Sequence, residues 1–127
     1  MDEKKEPTLT SAEVEVMNAI WQQSPVAVPD IVERLPRSLA YTTVLTTVRI
    51  LEEKGFVARC GKQGRAFLYQ ARIARDEVRG SMLRQLANRL FGGSIKSMVL
   101  NLVQDEGLAD NDLADLKQFI QELESKQ

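Results

Sequence analysis

Residues Ala40 to Val57 constrain the fold of this chain more than any other segment. Val44, Val48 and Leu51 recur at helical spacing, which demands that one helix face be buried. Thr42, Thr43, Thr46 and Arg49 then fall on the outer face. β-Branched threonines lose rotamer freedom in a helix, so a merely solvated face has little reason to collect them. A face laid against DNA has one. A hydroxyl hydrogen-bonds phosphates and base edges, and the methyl packs against thymine. An ordinary core helix with a polar outer face is the competing reading. Lys54-Gly55 stops the helix, and a short alternating strand follows at once.

Phe56 to Cys60 reads as that strand and Arg65 to Ala71 as another, joined by the turn Gly61-Lys62-Gln63-Gly64. Helix followed by hairpin is the second half of a winged helix. Arg59, Lys62 and Arg65 cluster at the hairpin, where a wing binds phosphate. A solvated hairpin with scattered charge is the alternative.

Charge is segregated along the chain. The net charge is −1, which does not suit a generally basic nucleic-acid binder. From Arg34 to Arg72, however, eight Lys and Arg face only Glu52 and Glu53, a local excess of six positive charges. Residues 1–33 carry −5 and residues 73–127 carry −2. The positive field is confined to the proposed recognition helix and wing.

The upstream sequence completes the motif. Thr10-Ser11-Ala12-Glu13 has the spacing of a capping box, with Leu9 and Val14 as a hydrophobic staple. The helix that follows would bury Val14, Met17, Ile20 and Trp21 and stop by Ser24-Pro25. A short extended Val26-Ala27 leads to a second helix near Pro29 to Leu35. The expected fold class is therefore mainly α with a small β-hairpin, a winged helix-turn-helix over 9–72 after a disordered 1–8. Residues 73–127 read as three helices. The first carries Val78, Met82, Leu86 and Leu90, and the second Met98 and Leu102. The third carries Leu113, Leu116, Ile120 and Leu123. These stripes are too apolar for short helices alone in water. Leu86, Leu90, Met98, Leu102, Leu113, Leu116, Ile120 and Leu123 are accordingly expected to hold a homodimer together.

Composition removes several other classes. One cysteine and no histidine leave no disulfide, no multi-thiolate cluster and no triad or zinc-hydrolase chemistry within one chain. No P-loop or dinucleotide fingerprint occurs. These absences argue against an enzyme, and no metal or cofactor is expected. No apolar run approaches the length needed to cross a bilayer, so direct membrane insertion is not expected and the cytoplasm is the simplest location.

Several segments together resemble the penicillinase repressor (BlaI/MecI/CopY) family. They are Leu9-Thr10-Ser11-Ala12-Glu13-Val14-Glu15-Val16-Met17 with Trp21, Tyr41-Thr42-Thr43-Val44, Lys54-Gly55-Phe56-Val57, Gly64-Arg65-Ala66-Phe67-Leu68-Tyr69, and Met98-Val99-Leu100-Asn101-Leu102-Val103. The resemblance spans nearly the whole chain. It implies a homodimeric transcriptional repressor that binds palindromic operator DNA through the 40–54 helix and the 59–65 wing. Tyr41 and Leu45 join Thr42, Thr43, Thr46, Arg49, Arg59, Lys62 and Arg65 in the expected DNA-binding set. It also implies a membrane sensor-protease partner, responding to β-lactams in the best-known branch, whose signal leads to cleavage of an Asn-Phe bond in the middle dimerisation helix. The matching bond here is Asn101–Leu102, with leucine in place of the aromatic residue. The cysteine-rich metal motif of the copper-sensing branch is absent from residues 122–127. Three other readings stay open: a repressor controlled by a small ligand, a protein-interaction adaptor that keeps the fold without using DNA, and redox sensing by Cys60 against its plainer role as a small strand residue.

Overall fold

A computed structural model describes residues 7–125. The expected disordered segment 1–8 lies mostly outside the described residues, as do Lys126 and Gln127. The element order is α1 (Ser11–Gln22), β1 (Val26–Ala27), α2 (Val28–Arg34), α3 (Tyr41–Glu53), β2 (Val57–Gln63), β3 (Ala66–Ala71), α4 (Arg75–Leu90), α5 (Ile95–Glu106) and α6 (Asp110–Ser125). The fold is mainly helical, with one antiparallel sheet in the order β1-β3-β2. Val26-Ala27 is thus a sheet strand, its Val26 paired with Tyr69.

The chain forms two compact units, one through Leu83 and one from Arg84. The division falls inside α4, later than the 72/73 boundary suggested by the sequence. The first turns of α4 bury Val78 in the core and pack Met82 against it, so they belong to the first unit.

The first unit starts at Thr10, whose side chain accepts from the Glu13 amide at 3.2 Å while Glu13 Oε1 accepts from the Thr10 amide at 2.9 Å. This reciprocal cap fixes where α1 begins. Its buried face is Val16, Met17, Ala19 and Ile20. Val14 and Trp21 are only half-buried, contrary to the expected stripe. Trp21 lies at the core margin, where its indole N–H donates to the Ile73 carbonyl at 2.9 Å and satisfies a donor that full burial would strand. Ile31 from α2, Val44, Val48 and Leu51 from α3, and Val57 and Tyr69 from the sheet close the core. Each such fully buried side chain contributes roughly 1.5–3 kcal/mol of transfer free energy.

Glu13 does more than cap. Its carboxylate is buried and receives Lys54 Nζ at 2.9 Å on both oxygens, tying the start of α1 to the end of α3. Burial pushes this carboxyl up, but the hydrogen bonds from Lys54 and the Thr10 backbone outweigh it and hold it below its ordinary value.

The hairpin differs from the expected one. Gln63 pairs with Ala66, so the connection is the two residues Gly64-Arg65. Gly61, Lys62 and Gln63 belong to β2. Gly64 has φ +63°, which suits a glycine at the first central position of a two-residue hairpin loop. The pairing shifts between Arg59 and Gly61, leaving Cys60 as the extra residue of a β-bulge.

In the second unit, Gly92 and Gly93 both have positive φ and end α4, with the Gly93 amide donating to the Ala87 carbonyl at 3.0 Å. Ser94 caps α5 by accepting from the Ser97 amide at 3.0 Å. Ala87 and Met98 are buried, but α6 buries none of its residues. Leu90, Leu102, Phe119, Ile120 and Leu123 are all exposed. Met98 departs from the expected interface: it is only 5% exposed in the single chain and has almost no surface to offer a partner.

Candidate nucleic-acid interface

The outer face of α3 and the hairpin surround a groove of about 150 Å³. From α3 come Tyr41, Leu45 and Arg49, and Val28 lies beneath them at the start of α2. The hairpin adds Arg59, Arg65, Phe67 and Tyr69. Five residues singled out from the sequence, Tyr41, Leu45, Arg49, Arg59 and Arg65, thus meet around one concavity. Thr42, Thr43 and Thr46 are exposed along α3. Lys62 stands over Phe67, its Nζ 5.0 Å from the ring centroid.

The threonines are not bare hydroxyls. Thr46 Oγ1 donates to the Thr42 carbonyl at 2.9 Å, and Thr47 Oγ1 donates to the Thr43 carbonyl at 3.1 Å. This back-bonding satisfies both hydroxyl donors within the helix, without removing the rotamer cost of threonine there. It also uses the Thr46 hydrogen, leaving an oxygen lone pair and a methyl for an incoming ligand. Ala40, the N-cap of α3, makes no side-chain cap. The amides of the first turn therefore remain available to an anion.

Phe67 was not anticipated as a site residue, and the bulge at Cys60 explains why it becomes one. In a regular strand Arg59 and Lys62, three residues apart, project to opposite faces. The extra residue restores them to one face, since Arg59 pairs with Tyr69 and Lys62 with Phe67, which share a side of β3. The Arg59 guanidinium lies 4.2 Å from the Phe67 centroid. Arg59 also pairs with Glu52 of α3 at 3.1 Å, which links the hairpin to the helix. Period-two alternation puts Phe67 on the face of Tyr69, but no local signal in the sequence marks the bulge.

Glu13 and Glu15, outside the counted segment, each take one of its cations, so the local positive excess falls from six to four. Arg34 donates to the Ala19 and Gln23 carbonyls at 3.0 and 2.9 Å and so closes the end of α1. Arg37 pairs with Glu15 at 2.9 Å, and its hydrogen bonds hold the Glu15 carboxyl below its ordinary value. Lys54 belongs to Glu13 and Arg59 to Glu52. Arg34, Arg49, Lys62, Arg65 and Arg72 have no carboxylate partner among the described residues. Three of those five, Arg49, Lys62 and Arg65, belong to the α3–hairpin face, so most of the uncompensated charge lies there.

Cys60 is exposed, with Sγ 3.6 Å from the Leu68 carbonyl. Among the described residues no cluster of ligating side chains could hold a metal ion, and no helix is long and apolar enough to cross a membrane. Asn101 and Leu102 lie inside α5, both exposed.

Comparison with known proteins agrees with this geometry. The penicillinase repressor family model matches residues 9–122. The penicillinase repressor of Bacillus licheniformis is 29% identical over 121 residues, 94% of each chain. The methicillin resistance regulatory protein MecI of Mammaliicoccus sciuri is 28% identical over 114 residues, 88% of this chain and 92% of its own. The solved DNA binding domain of the repressor BlaI is 30% identical, with TM-score 0.50, covering 59% of this chain and 93% of that domain. A MarR mutant from E. coli shares the fold at 15% identity, with TM-score 0.51 over 91% of this chain and 77% of its own. The chain belongs to the penicillinase repressor family of winged-helix transcriptional repressors.

Proposed function

We propose that this protein represses transcription as a homodimer, each copy binding one half of a palindromic operator through α3 and the β2–β3 wing. The observation that carries this reading is the meeting of Tyr41, Leu45, Arg49, Arg59 and Arg65 around one groove, beside the exposed Thr42, Thr43 and Thr46. Lys62 and Arg65 serve the phosphates, and the free amides at the start of α3 join them. The methyl and lone pair of Thr46 read base edges. The dimer forms through the second unit, where Leu86, Leu90, Leu102, Leu113, Leu116, Ile120 and Leu123 supply an apolar surface that the single chain leaves largely uncovered.

Anisotropy titrations on the promoter region and on random DNA test the contacts. A dimer making about 6–10 phosphate contacts loses about 10³–10⁵ in affinity between roughly 50 and 200 mM salt. Arg65→Ala weakens both DNAs alike, whereas Thr46→Ala weakens the operator more than random DNA. Equal losses for Thr46→Ala would refute base readout by this residue.

Repression ends when the two DNA-binding units are uncoupled. Cleavage at Asn101–Leu102 would release α6 and most of the proposed interface from the wing. A helical bond does not fit a protease cleft in extended form, so α5 must open locally first, and the turn at Gly107 beyond its end gives it a place to fray. A chain ended after Asn101 should bind full operator no better than a half-site, a loss of about 10²–10⁴ relative to the intact dimer. Undiminished affinity would exclude this bond as the switch.

A further inference from the structure

We propose that the groove between α3 and the wing is a regulatory site for a small, single-ring aromatic carboxylate, whose binding expels DNA. The proposal rests on the DNA-facing role of that groove argued above, and adds a ligand to it.

Size sets the first limit. At about 150 Å³ the groove, open to solvent on one side, has room for one benzene-sized ring. The floor sets the second. Val28 and Tyr69 are buried and Leu45 half-buried, so the bottom is apolar, while Phe67 and Tyr41 offer aromatic walls. An inorganic anion would leave this surface without a partner. Charge sets the third. Arg59 is already neutralised by Glu52. Arg49 and Arg65 line the same groove without a carboxylate among the described residues. A carboxylate attached to a flat ring answers all three demands, with guanidinium groups as its natural fork-shaped partners.

Occupancy and DNA binding then exclude each other. The arginines that would hold the ligand are the ones proposed for DNA, and a ring between α3 and the wing removes space that a phosphodiester strand needs. The ligand needs no change in protein shape to act.

The test uses the intact protein and benzoate as probe, followed by NMR without DNA. Benzoate should shift Leu45, Phe67 and Tyr69 saturably, with a dissociation constant on the order of 1 mM or tighter. Acetate has the charge without the ring, and benzamide the ring without the charge. Each should bind at least about tenfold more weakly than benzoate. Arg49→Gln with Arg65→Gln should abolish the shifts while leaving the thermal midpoint in place. Shifts that do not saturate, that match those of acetate, or that map away from the groove would overturn the site. At fixed ionic strength benzoate should then raise the apparent dissociation constant in step with groove occupancy, about twofold for a single half-site and about fourfold for the dimer on the full operator when each groove is half filled. Saturable binding with operator affinity unchanged would overturn the regulatory claim. A protein that ignores DNA even without benzoate would instead overturn the repressor reading, and the titration would still decide the groove.

Discussion

In α3 the stripe Val44, Val48 and Leu51 is fully buried, whereas in α6 Leu113, Ile120 and Leu123 remain between 39% and 47% exposed. Both helices are amphipathic by design of their sequence, and only one has its apolar face covered within the chain. The difference separates two meanings of a hydrophobic stripe. In α3 it records a core already built from α1, α2 and the sheet. In α6 it marks a face that one copy of the chain leaves exposed, and this exposure is what supports the proposed assembly through the second unit.

The sharpest way to break that contrast is to charge the uncovered face. Leu116→Asp together with Ile120→Asp would bury unpaired carboxylates in the proposed interface at a cost of several kcal/mol. The expected product is a monomer by sedimentation, with a wing unit that still melts cooperatively. An intact dimer would remove α6 from the interface.

A core truncation should behave in the opposite manner. Leu51→Ala should lower unfolding stability by about 2–5 kcal/mol through lost burial and the cavity left behind. That loss should not depend on protein concentration, because Leu51 is fully buried within one copy. A strong concentration dependence in the first unit's own urea transition, followed by the fluorescence of Trp21, would show that this unit, too, relies on a partner.

Smaller again is the Glu13–Lys54 pair. Glu13→Gln keeps an oxygen for the Thr10 amide but loses the charge facing Lys54. Because the Lys54 side chain is 40% exposed, the expected loss is about 1–2 kcal/mol, below that of a fully buried pair. The folded-state pKa of Glu13 lies below its ordinary 4.5. Its stabilisation is therefore complete above the unfolded value and disappears as pH falls through the folded one. Acid melts of the parent should show this extra loss below about pH 4.5, and Glu13→Gln should not. Parallel acid limbs in the two proteins would show that the pair carries no pH-linked stability.

What was legible in the sequence was mostly local. The Thr10–Glu13 cap lies within four residues, and the Val44-Val48-Leu51 spacing states its own geometry. The cationic hairpin is also written in consecutive residues, although its turn lies at Gly64-Arg65 and not across Gly61 to Gly64. Partnerships across the chain were not legible. Lys54, Arg37 and Arg34 counted as a free positive field, yet packing brings them to Glu13, Glu15 and the end of α1. The bulge at Cys60 is a one-residue slip that no periodicity announces, and it decides that Lys62 meets Phe67. Charge counts describe a chain; only its fold says which charges are spent.

The back-bonded threonines of α3 bear on a chemical mark that DNA itself carries. With its hydrogen given to the Thr42 carbonyl, Thr46 would meet the major groove of the proposed complex chiefly as a methyl group beside a lone pair. A methyl contact recognises the 5-methyl of a pyrimidine and is blind to whether the ring beneath it is thymine or methylated cytosine. In the proposed complex, cytosine methylation inside the operator would therefore add a methyl group under α3 while keeping the amino group that the Thr46 lone pair can accept from, so the modification state of the promoter would bear on the strength of binding.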